Sequence, residues 1–257
     1  MAHKLYYDNV GSYSATIADG TVTTDGELLT QSFSASSNTI TNESAISDGD
    51  TNVVISSFGT TDAIQFNFGS AKTINRVAVH FNAVETGTLR ILHDSAASGT
   101  LSVNQTITDN FTAGWNIISL TSQSMQYWII ESEDSTISTI TEAMFFHTTD
   151  NGLELPIDGA GVTINEPYNT FTGSTYNNTE FTNKVDDTYK NWQLKIPLLT
   201  ESDKTTLETI QSTHSNLYPF LYYDDSTYHT VRLSKPLVFN QVATNTYSTT
   251  LSLQGQA

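Results

Sequence analysis

Asp48-Gly49-Asp50, followed by Asn52, sets closely spaced oxygen donors around a glycine. Carboxylates spaced around a glycine can wrap a Ca²⁺ ion, which takes six to eight oxygens, some from backbone carbonyls. The full helix-loop-helix calcium pattern is absent, and an Asx-rich turn accounts for the same spacing. Asp186-Asp187 and Asp224-Asp225 are adjacent acidic pairs in turn contexts. Neighbouring residues on a strand face opposite ways, so neither pair is a natural acid/base couple. The six histidines, His3, His80, His93, His147, His214 and His229, include no two at a spacing of three or four. No zinc-protease motif, no strained serine elbow and no phosphate-cradling glycine loop occurs. No catalytic residue is expected. Aromatic side chains are the remaining binding currency. Trp115 and Trp128 fall on predicted strands and are expected in the core, whereas Phe58, between Ser57 and Gly59, is the candidate exposed tip residue for a ligand. Tyr222, Tyr223 and Tyr228 flank an acidic turn and are candidates for an interface, with core and ligand-facing positions also open to them.

The elements that must carry these residues are strands. The chain has 257 residues with 10 Lys and Arg against 27 Asp and Glu, a net charge of −17, no cysteine, and 12 Phe, 12 Tyr and 3 Trp. Ser, Thr and Asn make up about a third of it, which suits strand surfaces and turns. Ten dispersed bases predict no phosphate-binding patch, so direct nucleic-acid binding is not expected. No apolar run approaches the ~20 residues of a membrane helix and the first residues lack a signal-peptide core, so no membrane insertion or export is expected. Without cysteine the chain has neither disulfides nor thiolate metal sites.

Alternating patterns predict strands at 63–68, 76–81, 88–92 and 115–120, with more continuous apolar runs at 127–130 and 143–146. Asp19-Gly20 and Asp25-Gly26 read as turns. Gly152, Pro156, Gly159 and Gly161 mark a linker over 150–164. Beyond it, Trp192 to Ile196 reads as a strand closed by Pro197. Thr200-Glu201-Ser202-Asp203 then opens a helix over about 200–214, with Leu207, Ile210 and His214 on one face. Strands follow at 219–223, 230–233, 237–239 and 247–253. The predicted fold is mainly β: an N-terminal antiparallel jelly-roll β-sandwich and a C-terminal β-rich domain with one short helix. Its boundaries are 1–32 as N-terminal strands or arm, 33–149 as the jelly roll, 150–164 as linker and 165–257 as the C-terminal domain.

Two resemblances add to this. Residues 44–52, 62–69 and 73–77, with Gln126-Tyr127-Trp128-Ile129-Ile130 and Ile140-Thr141-Glu142-Ala143-Met144-Phe145, resemble the discoidin, or coagulation-factor C-type, domain. That resemblance implies a galactose-binding-like jelly roll, a structural Ca²⁺ at Asp48, Asp50 and Glu142, and glycan contact through loops at one end. The usual Thr-x-Trp after the loop is here Val53-Val54-Ile55. Trp192 to Thr200, the helix, Tyr218-Pro219-Phe220 and Val231-Arg232-Leu233 resemble the tube-type β-domains of bacteriophage tail proteins, including distal tail proteins. Together they imply a non-enzymatic virion tail component. Its C-terminal domain would assemble with itself in a ring and with other tail proteins, and its jelly roll would project for protein contact or host-glycan attachment. A stand-alone carbohydrate-binding or adhesion protein is the alternative, and a glycan-cleaving enzyme the third reading.

Overall fold

The computed structural model describes residues 3–25, 30–35, 40–55, 58–97, 100–133, 137, 139–147, 152–157, 161–165, 170–174, 180–184 and 190–255. Asp186 and Asp187 lie outside them. The chain divides into two compact units, Tyr6–Asn151 and Met1–Leu5 with Gly152–Ala257.

The chain opens with β1 (His3–Tyr6) and a one-turn helix, α1 (Val10–Ser14). The first unit is then built from β2 (Thr16–Asp25), β3 (Thr30–Ala35), a 3-10 turn at Glu43–Ser47, β4 (Asp62–Phe81), β5 (Glu85–Asp94), β6 (Ser102–Phe111), β7 (Gly114–Ser132) and β8 (Ile140–Phe146). Every pairing is antiparallel, in the order β3-β2-β4-β7-β5-β6 with β8 on β4. The separate strands predicted at 63–68 and 76–81 are two arms of one long strand. The β4–β7 register slips between Asn67 and Lys72 and again between Ile74 and Arg76. Such irregularities bend a strand and let it serve two packed layers. The first arm pairs with β2 and the second with β8.

The inner faces of the two layers meet in one core. Ile64, Phe66, Trp128 and Ile130 come from the first layer, and Val77, Val79, Ile118 and Phe145 from the second. Phe145 touches Phe66 edge-on at 4.9 Å and Trp128 at 5.8 Å between ring centroids. Val22, Phe33, Ala63, Leu92, Leu101 and Ile129 form a smaller cluster on the outer face of the first layer. Trp128 is fully buried and Trp115 nearly so, as their strand positions predict.

Sequence and structure differ at three places here. The Asp19-Gly20 turn does not form: β2 runs through it, because Gly20 lies opposite Ala35, where any Cβ would press on the Ser34 carbonyl and reach the Phe33 ring at 2.7 Å. β2, inside the stretch set apart as an arm, pairs with β4 in the sandwich. The sequence reading also passes over β6, whose Ser, Thr and Asn content gives no clean alternation.

The second unit contains β9 (Leu153–Leu155), β10 (Val162–Asn165), β11 (Thr170–Ser174), β12 (Glu180–Lys184), β13 (Asn191–Thr200), α2 (Glu201–His214), β14 (Phe220–Tyr223), β15 (Tyr228–Leu233), β16 (Asn240–Ala243) and β17 (Thr246–Gly255). Its main sheet runs β10-β13-β17-β15-β14-β1-β9, with β16 on β17, and β11 pairs with β12 apart from it. β9 and β10 occupy the segment predicted as a linker. β13 continues past Pro197 to Thr200, with a register shift between Ile196 and Leu199, a position where a sheet tolerates a residue without an amide hydrogen. The strand predicted at 237–239 does not form, and β16 begins directly after it.

α2 starts where predicted. Thr200 Oγ1 accepts from the Asp203 amide while the Asp203 carboxylate accepts from the Thr200 amide, and Glu201 and Asp203 place negative charge in the first turn. Its buried residues Leu207, Ile210 and His214 lie on the side that meets β13, β15 and β17. There Trp192, Leu194, Ile196, Val231, Leu251 and Leu253 are buried. Burying Leu207 and Ile210 contributes about 1.5–3 kcal/mol each.

Candidate functional site

Glu142 is the most unusual group of the sandwich. It sits on β8 with no solvent exposure. One carboxylate oxygen, Oε2, accepts from the Gly49 amide at 3.0 Å. The other, Oε1, is buried with no hydrogen-bond partner among the described residues. Gly49 supplies the approach by holding φ at +81°, a conformation that side chains disfavour. Burial, with Asp48 and Asp50 nearby, pushes the Glu142 carboxyl well above the usual range, against the pull of the Gly49 and Asp50 amides. Asp48 keeps solvent contact, yet the protein around it and then Asp50 raise its carboxyl as well.

The structure therefore brings Asp48, Asp50 and Glu142, far apart in the chain, into one electrostatic neighbourhood. Much of the loop's own valence is turned inward. Asp48 Oδ1 accepts from the Asp50 amide at 2.7 Å, and Asp50 Oδ1 accepts from the amide and the side chain of Asn52, each at 2.9 Å. Among the described residues no three His, Asp or Glu side chains form a ready-made metal cluster. A hard cation fits the chemistry through the unpaired Glu142 oxygen, the remaining carboxylate oxygens and loop carbonyls, which is a calcium donor set.

The other predicted site residues separate. Phe58 is a correction: it is fully buried, its carbonyl accepts from the Ile137 amide at 2.9 Å, and it belongs to the sandwich core. Its Gly neighbour marks a loop, but the loop folds inward because a phenylalanine gains more from burial than the segment loses by bending. Tyr222 is corrected likewise as an interface residue. It is fully buried, its hydroxyl lies 2.8 Å from His3 Nδ1, and burial followed by Asp224 pushes its phenol upward. Tyr223 and Tyr228 are half-buried cross-strand partners with rings 4.8 Å apart.

Near them lies an arrangement that residue spacing does not announce. Asp224 Oδ2 meets His229 Nε2 at 2.8 Å, and Asp224 Oδ1 accepts from the Ser226 and Thr227 amides. Burial raises this carboxyl, but those hydrogen bonds outweigh it and hold the group down at about 2. In the sandwich, Arg90 clasps the buried Glu131 with two hydrogen bonds of 2.8 and 2.6 Å and also reaches Glu133 at 3.2 Å. His80 lies against Trp115 with Nδ1 2.6 Å from Thr141 Oγ1, and burial depresses its imidazole to about 4.

One end of the sandwich gathers the β4–β5, β6–β7 and β7–β8 connections. Thr139 Oγ1 donates to Glu85 Oε2 at 2.8 Å, Thr86 to Asn110 Oδ1 at 2.7 Å, and the Asn116 amide to the Thr112 and Gly114 carbonyls at 2.8 and 3.1 Å. Val84, 70% exposed, stands at the β4–β5 turn. The result is a rim of hydroxyl, amide and carboxylate groups around the exposed Val84.

The architecture is thus an antiparallel β-sandwich joined in sequence to a second, helix-backed sheet. No family model and no curated protein matches the chain. Among solved structures it is similar to chitosan-binding module 1 from a chitosanase/glucanase of Paenibacillus sp. IK-5, at 17% identity over 54% of this chain and 98% of that one, with a TM-score of 0.40. It is also similar to CBM32 of AlyQ in complex with 4,5-unsaturated mannuronic acid, at 24% identity over 58% and 99%, TM-score 0.39. A third is the family 32 carbohydrate-binding module of C. perfringens NanJ in complex with galactose, at 12% identity over 56% and 98%, TM-score 0.39.

Proposed function

We propose that the chain is a non-catalytic glycan-binding protein whose sandwich presents its loop end to sugar and holds a structural Ca²⁺ between Glu142 and the Asp48–Asp50 loop. The observation that carries this reading is the loop end itself. Sugar hydroxyls need donors and acceptors already in place, and the hydrogen bonds joining Thr139 to Glu85 and Thr86 to Asn110 fix such groups before any ligand arrives. Val84 supplies an apolar contact for the C–H face of a ring. Glu142 lies two residues into β8 from Ile140, so a cation there would brace the same end.

The test is a glycan array followed by calorimetry on the full chain. Val84→Asp and Asn110→Ala are expected to weaken the selected sugar about tenfold or more without changing thermal stability, and removing Ca²⁺ to weaken it further. A chain that binds no glycan, or that binds one equally well in both variants, overturns the reading. The virion-tail reading rests on the sequence pattern of Trp192 to Thr200, the helix, Tyr218-Pro219-Phe220 and Val231-Arg232-Leu233, and has no structural observation of its own.

A further inference from the structure

Ten bases dispersed along an acidic chain predict no basic patch, yet the fold assembles one. On the main sheet of the C-terminal unit, α2 and the core occupy one face and leave the other open. Cross-strand register sets its floor: Arg232 lies opposite Gln254, Gln193 opposite Ser252, and Lys195 opposite Thr250, all on alternate positions from the buried Trp192, Leu194, Leu251 and Leu253. The segment after β15 runs beside this face, with the Ser234 amide bonded to the Ser252 carbonyl at 3.0 Å, and brings Lys235 to it. Two adjoining hollows of about 510 and 490 Å³ share Gln193, Lys235 and Ser252, forming one groove. A third, at its end, is lined by Arg232 and Gln254.

The groove's charge is unlike that of the rest of the chain. Among the described residues no Asp or Glu lines it. Lys195, Arg232 and Lys235 make no ion pair among the described residues, and Arg232 Nε is buried without a hydrogen-bond partner. By contrast, Lys204 outside the groove is already held by Glu201 and Glu208. Three uncompensated cations around a hollow of this size call for an anion.

We propose that this groove is a second binding site, for a polyanionic glycan carrying uronate or sulfate groups. The groove's hydroxyl and amide groups, from Gln193, Thr250, Ser252 and Gln254, pair with sugar hydroxyls, and the neighbouring Ile164, Pro197, Pro236 and Val238 suit the C–H faces of the rings. A protein interface is centred on aromatic anchors, and among the described lining residues the one aromatic side chain, Trp192, is 2% exposed. Single-stranded nucleic acid would require exposed stacking rings, and none is among the described lining residues. The proposal concerns a different unit from the loop-end glycan site, so either can fail alone.

The test titrates the full chain with hexagalacturonate, with maltohexaose as the neutral comparator, at 20 and 300 mM salt. Hexagalacturonate is expected to bind and to weaken as salt rises, and Lys195→Gln with Lys235→Gln to lose about tenfold or more at unchanged thermal stability. Lys204→Gln and Val84→Asp are expected to leave this binding intact. Failure of hexagalacturonate to bind, or binding unaffected by the double variant, overturns the proposal. So does a ligand-free dimer at low salt, seen by light scattering and abolished by the double variant, because the groove would then seat the acidic surface of a second copy.

Discussion

A carboxylate whose second oxygen is buried without a donor is a liability unless something positive meets it, and Glu142 is such a group. If Ca²⁺ is that partner, millimolar Ca²⁺ raises the melting temperature of the wild-type chain and a chelator reverses the shift. In Glu142→Gln the shift disappears. The calcium-free variant melts above calcium-free wild type at pH 7, by about 2–4 °C for each kcal/mol of repulsion removed. A Ca²⁺ shift that survives in Glu142→Gln places the ion elsewhere. Asp224 gives the opposite sign. Its folded carboxyl lies at about 2 against an ordinary 3.8, so the unfolded chain binds the proton more readily. The stabilisation is complete above pH 4 and lost as pH falls toward 2. Allowing for partial exposure it is worth about 1–2 kcal/mol. Asp224→Asn is expected to be less stable by that amount in urea melts at pH 7, with the gap closing near pH 2. At this scale the Asp-Gly-Asp loop was legible in sequence, but its partner emerged only from a family resemblance, since nothing local marks which strand carboxylate is buried. Phe58 was misread because a neighbouring glycine reports backbone geometry and says nothing of where the ring goes.

Elements follow local chemistry where that chemistry is self-contained. α2 was legible because Thr200, the acidic first turn and the spacing of Leu207, Ile210 and His214 all lie within fifteen residues. Thr200→Ala is expected to lose about 1 kcal/mol in denaturant melts, and Thr200→Ser to retain most of it. A Thr200→Ala chain as stable as wild type would mean that the tertiary contacts of α2 suffice without the cap. Elements whose shape is set by distant strands were legible only in part. The bend of β4 depends on its register against β7, and β13 passes Pro197 because β17 accommodates the shift. Gly20 shows the same dependence: read locally it is a turn, while in the sheet it is the one residue small enough to lie under Phe33. Gly20→Ala is expected to cost about 1–3 kcal/mol, an overpacking penalty measurable in urea melts.

At the scale of the molecule, the net charge of −17 was legible, but its division was not, because it depends on where the units separate. Tyr6–Asn151 holds 16 Asp and Glu against 3 Lys and Arg, a net of −13, leaving −4 on Met1–Leu5 with Gly152–Ala257. Arg90, one of those three bases, is already committed to Glu131 and Glu133. A sugar approaching the loop end therefore meets a negative field, whereas one approaching the Lys195–Arg232–Lys235 groove meets a local positive one. Fields of this kind are screened beyond about 8–10 Å at physiological ionic strength, so salt separates the two sites by sign. With the groove removed by Lys195→Gln and Lys235→Gln, residual binding of an acidic glycan at the loop end is expected to strengthen from 20 to 300 mM salt as repulsion is screened. With the loop end removed by Val84→Asp, groove binding is expected to weaken over the same range. A neutral glycan selected by the loop end should show almost no slope. Titrations of hexagalacturonate and that neutral sugar against both variants measure all three slopes. Acidic-glycan slopes of the same sign in the two variants would mean that one common site accounts for the binding, and that the charge division between the units does not govern what each can hold.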